Sequence, residues 1–297
     1  MLNYIRINDP RIKNLYNEDT VFHYTKAETA IDFIFYGSKL RFNKGINSSD
    51  PIENIITDTR HILPYNSETD TDVYNNLEST TLNLKKNKRN LTQICFCKNT
   101  RNDDEIGFYQ DAYDFNEELL GFTKLRMWDQ YAGNFSGVCI ALSKEKMISL
   151  NKIKLDLLSG DIKYLNFKEL KQNKPIFNQL TSTSKEVLQT NESNLLSNLN
   201  KSFFLKHLDY SGENEFRIAT LYSKDKCEPE FMKHYELIQE NLYLDITECV
   251  KAIFVSSFAN DKQKNSLYEY SKQIGVELIE MIWKHNSFEM KIISETN

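Results

Sequence analysis

Two stretches of the chain carry side chains whose types and spacing suit chemistry. In Tyr210-Ser211-Gly212-Glu213-Asn214-Glu215-Phe216-Arg217, the residues Glu213, Glu215 and Arg217 alternate. On a strand they share one face, and Phe216 and Ile218 take the other. Two carboxylates on one face can orient a sugar hydroxyl or stabilise developing positive charge. An arginine beside them can hold a phosphate or fix a carboxylate. The same pattern also describes an amphipathic edge strand with a solvated Glu–Arg pair. The second stretch is Val21-Phe22-His23-Tyr24-Thr25. A strand histidine turned inward must find a hydrogen-bond partner. It is either a satisfied core histidine or a donor on a pocket wall, and its near-neutral pKa suits proton traffic.

Other polar residues admit simpler accounts. Trp128 and Tyr131 are three apart on an expected helix, either packing in the core or forming an aromatic wall for a planar ligand. Asp50-Pro51-Ile52-Glu53 reads as a helix start, with Asp50 as N-cap and Glu53 at the capping-box position. No Ser–His–Asp order, zinc quartet or His-Glu-x-x-His spacing occurs, so no metal ligands are assigned. Cys95-x-Cys97 has the wrong spacing for a zinc knuckle; on a strand both thiols share a face, expected to be the core.

The elements that must position these residues follow from periodicity. Strands are expected at Val21–Thr25, Lys39–Phe42, Leu91–Cys97, Gly137–Leu142, Glu215–Tyr222, Asn241–Ile246, Ala252–Ser256, Val276–Trp283 and Phe288–Ile293, with two more near Ile153–Leu157 and Gly160–Leu165. Helices are expected at Lys26–Tyr36, stopped by Gly37, at Glu117–Tyr131 with a buried face of Leu120, the Lys124 stem, Met127 and Tyr131, through 176–208, and at Asp261–Ile274. Helices inserted among short strands without strict βαβ order favour an α+β class over a doubly wound one. The expected architecture is a single domain over 1–297, with its core at about 20–283, a mainly antiparallel mixed sheet, and an exposed polar insertion at 66–90.

Of 297 residues, 40% are hydrophobic and 27% charged, with 16 Tyr, 18 Phe and only 9 Gly and 5 Pro. That is enough apolar material for a sizeable core, and it excludes a disordered or low-complexity chain. The formal charge of −5 offers no overall field for nucleic-acid phosphates; Lys85-Lys86-Asn87-Lys88-Arg89 is the one basic run. No stretch approaches the roughly 20 apolar residues of a membrane span. The N-terminal sequence lacks a basic segment followed by an apolar one, and the five cysteines are odd in number, so free thiols and a cytoplasmic location are expected.

Seven short motifs, in order, resemble the uncharacterised bacterial family called domain of unknown function 2971 (DUF2971). They are His23-Tyr24-Thr25, Leu40-Arg41-Phe42, Ser49-Asp50-Pro51-Ile52-Glu53, Cys95-Phe96-Cys97, Met127-Trp128-Asp129-Gln130-Tyr131-Ala132, Gly137-Val138-Cys139-Ile140 and Glu213-Asn214-Glu215-Phe216-Arg217. Ser49 stands where the family usually has Asn, and Cys97 where it has Ser.

The order is also similar, more loosely, to that of ADP-ribosyltransferase-like domains, which carry a His on the first strand and a Glu on a late one. This likeness implies an ADP-ribosyltransferase or NAD glycohydrolase, with NAD as the nucleotide substrate, a protein or nucleic-acid acceptor, and a role as a toxin or antiphage effector. Glu215, with Glu213, would stabilise the oxocarbenium-like state. His23 would bind the adenosine ribose or pyrophosphate side, with Thr25 on the same face. Tyr131, Trp128 or Tyr24 would stack on nicotinamide, and Arg217 or Arg41 would meet phosphate. No tyrosine clearly occupies the second-strand position, where Phe42 stands. Two other readings remain open: a non-catalytic nucleotide- or RNA-sensing module, and a nuclease with a metal held by Asp50, Glu53, Glu213 and Glu215. The common expectation is that His23 and the Glu213/Glu215 pair line one cleft.

Overall fold

Runs rich in β-branched and aromatic residues become the central strands, because such side chains pack well on a pleated surface buried on both sides. The computed structural model describes residues 4–45, 90–100, 120–152, 155–172, 203–221, 235–236, 241–285 and 287–294. In chain order its elements are β1 (Tyr4–Ile5), α1 (Pro10–Lys13), β2 (Thr20–Thr25), α2 (Ala27–Thr29, continued as a π-helix over Ala30–Phe35), β3 (Lys39–Arg41), β4 (Asn43–Lys44) and β5 (Leu91–Lys98). Next come α3 (Leu125–Gln130), β6 (Val138–Ser143), α4 (Lys144–Asn151), β7 (Leu157–Asp161), β8 (Lys163–Leu165), α5 (Phe167–Gln172) and β9 (Leu205–His207). A 3-10 turn (Leu208–Glu213), β10 (Glu215–Leu221), β11 (Tyr235–Glu236), β12 (Asn241–Asp245), β13 (Val250–Ser256), α6 (Asp261–Ile274), β14 (Glu277–Trp283) and β15 (Phe288–Ile292) complete the order.

One ten-stranded sheet runs β1-β15-β14-β13-β6-β2-β5-β10-β7, with β4 also on β5. All its pairings are antiparallel except β13 with β14, which α6 joins. Asn260 caps α6 in a capping box, and Gly275 ends it at φ 70, a left-handed position that suits glycine. This is the expected α+β class. Two smaller sheets accompany it, β11-β12-β3 and β8-β9.

Alternation gives each face of the large sheet its own core. Val21, Ile94, Phe96, Ile140, Leu142, Phe216, Ile218 and Ile253 lie on one face, under α4 and α6. Phe22, Tyr24, Cys97, Cys139, Ala141, Phe254 and Met281 lie on the other, with Trp128 of α3. On that second face β10 continues into a small cluster of Leu91, Ala219 and Phe203.

Among the described residues the sheet is open beside β5. Its β10 edge is paired from Leu91 to Cys97. On its other edge β2 pairs only at Cys97 and Lys98, and β4 only at Thr92 and Gln93.

Several expectations change. The helix at 117–131 is shorter: Lys124 is extended, with ψ 101, so α3 begins at Leu125, and residues 117–119 lie outside the described residues. The left-handed turn after the π-helix falls on Ser38, not Gly37. The helix through 176–208 does not extend to its end, because Leu205–His207 is strand β9, pairing in parallel with β8; residues 173–202 are not described. The insertion at 66–90 lies outside the described residues except for Asn90. No described helix is long and apolar enough to cross a membrane.

Candidate functional site

Glu215 opens β10, and the register pairs it with Cys97 of β5, while Arg217 pairs with Cys95. Antiparallel partners point to the same side, so these residues lie on the Cys97 face. Glu213 is not on the strand. It ends the 3-10 turn, and Asn214 at φ 43 reverses the chain between the two carboxylates. The Asn214 side chain holds this bend by donating to the carbonyls of Asn99 (2.7 Å) and Lys98 (3.3 Å). Asparagine tolerates the left-handed region better than most residues.

Lys206 of β9 joins the two acids. Its Nζ lies 2.7 Å from Glu213 Oε2 and 3.3 Å from Glu215 Oε2. Arg217 Nε donates to Glu215 Oε1 at 2.7 Å, and Nη1 donates to the Phe203 carbonyl at 2.8 Å. The Glu215 amide donates to the Tyr164 hydroxyl at 2.8 Å. The side chains of Lys206, Glu213, Glu215 and Arg217 are 7%, 3%, 3% and 2% exposed. Two acids and two bases balance in formal charge. That matters because an unpaired charge at such depth costs several kcal/mol. Burial alone would raise the Glu215 pKa; the Arg217 and Lys206 charges outweigh it and hold the carboxyl below its ordinary value.

The cluster reaches the surface at two points. Tyr131, directly after α3 and 39% exposed, donates its hydroxyl to Glu213 Oε1 at 3.3 Å. Burial, then the nearby Glu213 charge, pushes this phenol up to about 12. The exposed Cys95 thiol is hydrogen-bonded to Glu215. Cys97 is buried, so of the pair expected in the core only Cys97 is there. Lys206 Nζ also sits 4.7 Å from the centre of the Tyr210 ring, a cation–π contact.

His23 is elsewhere. In β2 it pairs with Ile140 of β6, its ring packs 5.8 Å from that of Phe96, and Nδ1 lies 3.3 Å from the Cys95 carbonyl in the opening beside β5. Phe96 and Ile140 belong to the opposite core face from Cys97. The expectation of one cleft shared by His23 and the glutamate pair is therefore corrected. Strand alternation separates them: Phe22 and Tyr24 take the glutamate side, and His23 and Thr25 take the other. Burial lowers the His23 pKa, against the opposing effect of the Cys95 carbonyl.

The remaining candidates divide similarly. Tyr24 is core: its hydroxyl donates to the Gly121 carbonyl at 2.6 Å, and its ring meets Trp128 edge-on. Trp128 is fully buried, donates Nε1 to the Phe122 carbonyl at 2.8 Å and also packs on Trp283, so it offers no free face. Arg217 is too deep and too engaged to meet a phosphate. Arg41 is exposed on β3 of the small sheet, opposite Tyr243. Asp50 and Glu53 lie outside the described residues. The sequence reading missed Lys206 and Tyr164, and it gave Tyr210 no role although that residue lies in the stretch singled out. Lys206 stands in a stretch read as helix, and no local signal marked it.

Fold and cluster together define an α+β domain with a charge-balanced polar site buried at one flank of its main sheet. Residues 127–218 match the family model described as "Protein of unknown function (DUF2971)", in keeping with the motif resemblance; this stretch holds Tyr131, Lys206, Glu213, Glu215 and Arg217. No curated protein and no solved structure matches the chain.

Proposed function

We propose that the Glu213/Glu215 cluster is a ribosyl-nucleotide site and that the domain performs glycosyl transfer on NAD, as an ADP-ribosyltransferase or an NAD glycohydrolase. The observation that most supports this reading is the pairing at the cluster's edge. A partly exposed aromatic ring, Tyr131, is bonded to one of two buried carboxylates that share an ammonium group. Such a ring can stack on a pyridinium, and a preorganised carboxylate can stabilise an oxocarbenium-like state. In the reaction, the bond from ribose C1′ to the nicotinamide nitrogen breaks and its electron pair stays on the ring, which becomes neutral. C1′ bonds to the oxygen of water or of a protein or nucleic-acid acceptor, whose proton passes to the carboxylate pair or to solvent. Glu215, kept ionised by its basic neighbours, faces the developing charge. Glu213 orients a ribose hydroxyl. His23 has no part at this site, being on the other face. Loss of cellular NAD would suit a cytoplasmic toxin or antiphage effector.

The test is nicotinamide release from NAD, followed by mass spectrometry. Glu215→Gln is expected to lower turnover by about 10²-fold or more and to leave the folded circular-dichroism spectrum in place. Equal turnover in the variant overturns the assignment. Because that change disturbs a buried ion cluster, Tyr131→Ala at the exposed edge is the companion variant, and a raised KM for NAD is expected.

One observation favours a non-catalytic nucleotide- or RNA-sensing module instead: each charged side chain of the cluster already has protein partners. Tight NAD binding without nicotinamide release would support that module. The nuclease reading fares less well, since the Lys206 ammonium occupies the space between the two carboxylates where a cation would sit.

A further inference from the structure

The cluster leaves the phosphates of a nucleotide unaccounted for. Arg217 is buried and used internally, and a neutral cluster offers a pyrophosphate no net attraction. Among the described residues, a different arginine stands beside the exposed edge. Arg126 lies on α3, the helix that ends just before Tyr131. Its Cζ lies 5.6 Å from the centre of the Tyr210 ring, the same ring on which the Lys206 ammonium rests. Two protein bonds fix the guanidinium: Nε donates to Gln130 Oε1 and Nη1 to the Asp209 carbonyl, each at 3.2 Å. The other N–H groups of its five carry no protein partner among the described residues, and the residue is exposed. Asp209 meets Arg126 through its carbonyl, while its carboxylate is exposed and lies 3.4 Å from His207 Nδ1.

A guanidinium that is oriented by two bonds and a ring, yet keeps donors open, is suited to take phosphate oxygens in a fork. We infer that Arg126 is the pyrophosphate-recognition residue of the site and sets its preference for a dinucleotide over a simple riboside. This rests on the proposed NAD reading. It adds a residue that reads the part of the substrate remote from the breaking bond.

The experiment compares NAD with nicotinamide riboside, which has the same scissile bond and no phosphate, in the wild-type chain, Arg126→Ala and Arg126→Lys. A charge-assisted hydrogen bond contributes about 1.5–3 kcal/mol, or tenfold and more. The ratio of kcat/KM for NAD to that for the riboside is therefore expected to fall at least tenfold in Arg126→Ala. Lysine is expected to restore part of it, because it keeps the charge without the fork. Equal losses on both substrates would make Arg126 merely structural and overturn the inference, as would no change on either. Titration with ADP-ribose needs no turnover. Weaker binding by tenfold or more in Arg126→Ala supports the phosphate role even if no nicotinamide is released, in which case the catalytic reading alone fails. Unchanged ADP-ribose binding in the variant, or none by the wild-type chain, overturns the inference.

Discussion

On one face of the main sheet His23 sits between Phe96 and Ile140, and among the described residues its one hydrogen-bond contact is to a backbone carbonyl. On the other face four charged side chains are buried side by side, each neutralised by a neighbour. Both regions put polar groups where the chain is otherwise apolar, and they meet the desolvation cost differently. The lone imidazole meets it by staying neutral, because burial lowers its pKa. The cluster meets it by pairing, so that Glu215 stays charged although burial alone would raise its pKa. A polar residue in a strand therefore does not announce its role. What surrounds it decides whether it is left uncharged or held ready as a charge.

That contrast can be broken most severely at Lys206. Lys206→Met leaves two acids facing each other beside one arginine, and a loss of about 3–5 kcal/mol in stability is expected. Chemical denaturation at neutral pH measures it, and a loss under about 1 kcal/mol would mean the acids find other partners. The pH dependence has a definite sign. Because the native Glu215 pKa is lowered, its contribution is complete above the ordinary unfolded carboxylate value, and it drains away as pH falls toward the lowered native one.

A smaller effect is expected at His23. His23→Phe keeps a ring against Phe96 and loses one hydrogen bond, so about 1 kcal/mol should go at neutral pH. Its pH signature is more telling. The native His23 pKa is lowered, so the stability it lends is complete above the unfolded value of about 6.5 and is lost as pH falls below it. Thermal melts between pH 7 and pH 5 should slope downward less in the variant than in the wild type. Identical slopes would show that the imidazole is not kept neutral by burial.

The smallest change is expected at Lys98, whose ammonium meets Asp161 at 2.7 Å on an exposed flank of the same strands. Lys98→Ala should cost less than about 1 kcal/mol, and added salt should erase the difference. A larger, salt-resistant loss would extend the buried network out to the surface.

Much of the secondary structure was legible in the sequence. Asp261–Ile274 carries its own start and stop signals in Asn260 and Gly275, and the strands around Val138, Val250 and Glu277 are dense in β-branched or aliphatic residues. Glu213 and Glu215 could be singled out because two acids flank a single residue just ahead of an apolar run. Their environment could not. The same alternation fits a solvated edge strand or a buried cluster, and the choice depends on Lys206 and Tyr131, remote in sequence or hidden within another pattern. Trp128 shows the opposite failure: a residue chosen as a ligand wall is fully occupied by Tyr24, Trp283 and a carbonyl.

By itself the sequence determined the class of fold, most strands, the absence of an overall basic field, and the two stretches where polar residues interrupt apolar ones. These follow from composition and from periods of 2 and 3.6, which are local properties. Only the tertiary structure decided that His23 and Glu215 belong to different sides, that Arg217 is spent within the protein, and that Lys206 completes the pair. Which face a strand residue takes depends on the register with its neighbours, and a buried charge is tolerable only where distant segments bring a counter-charge to it.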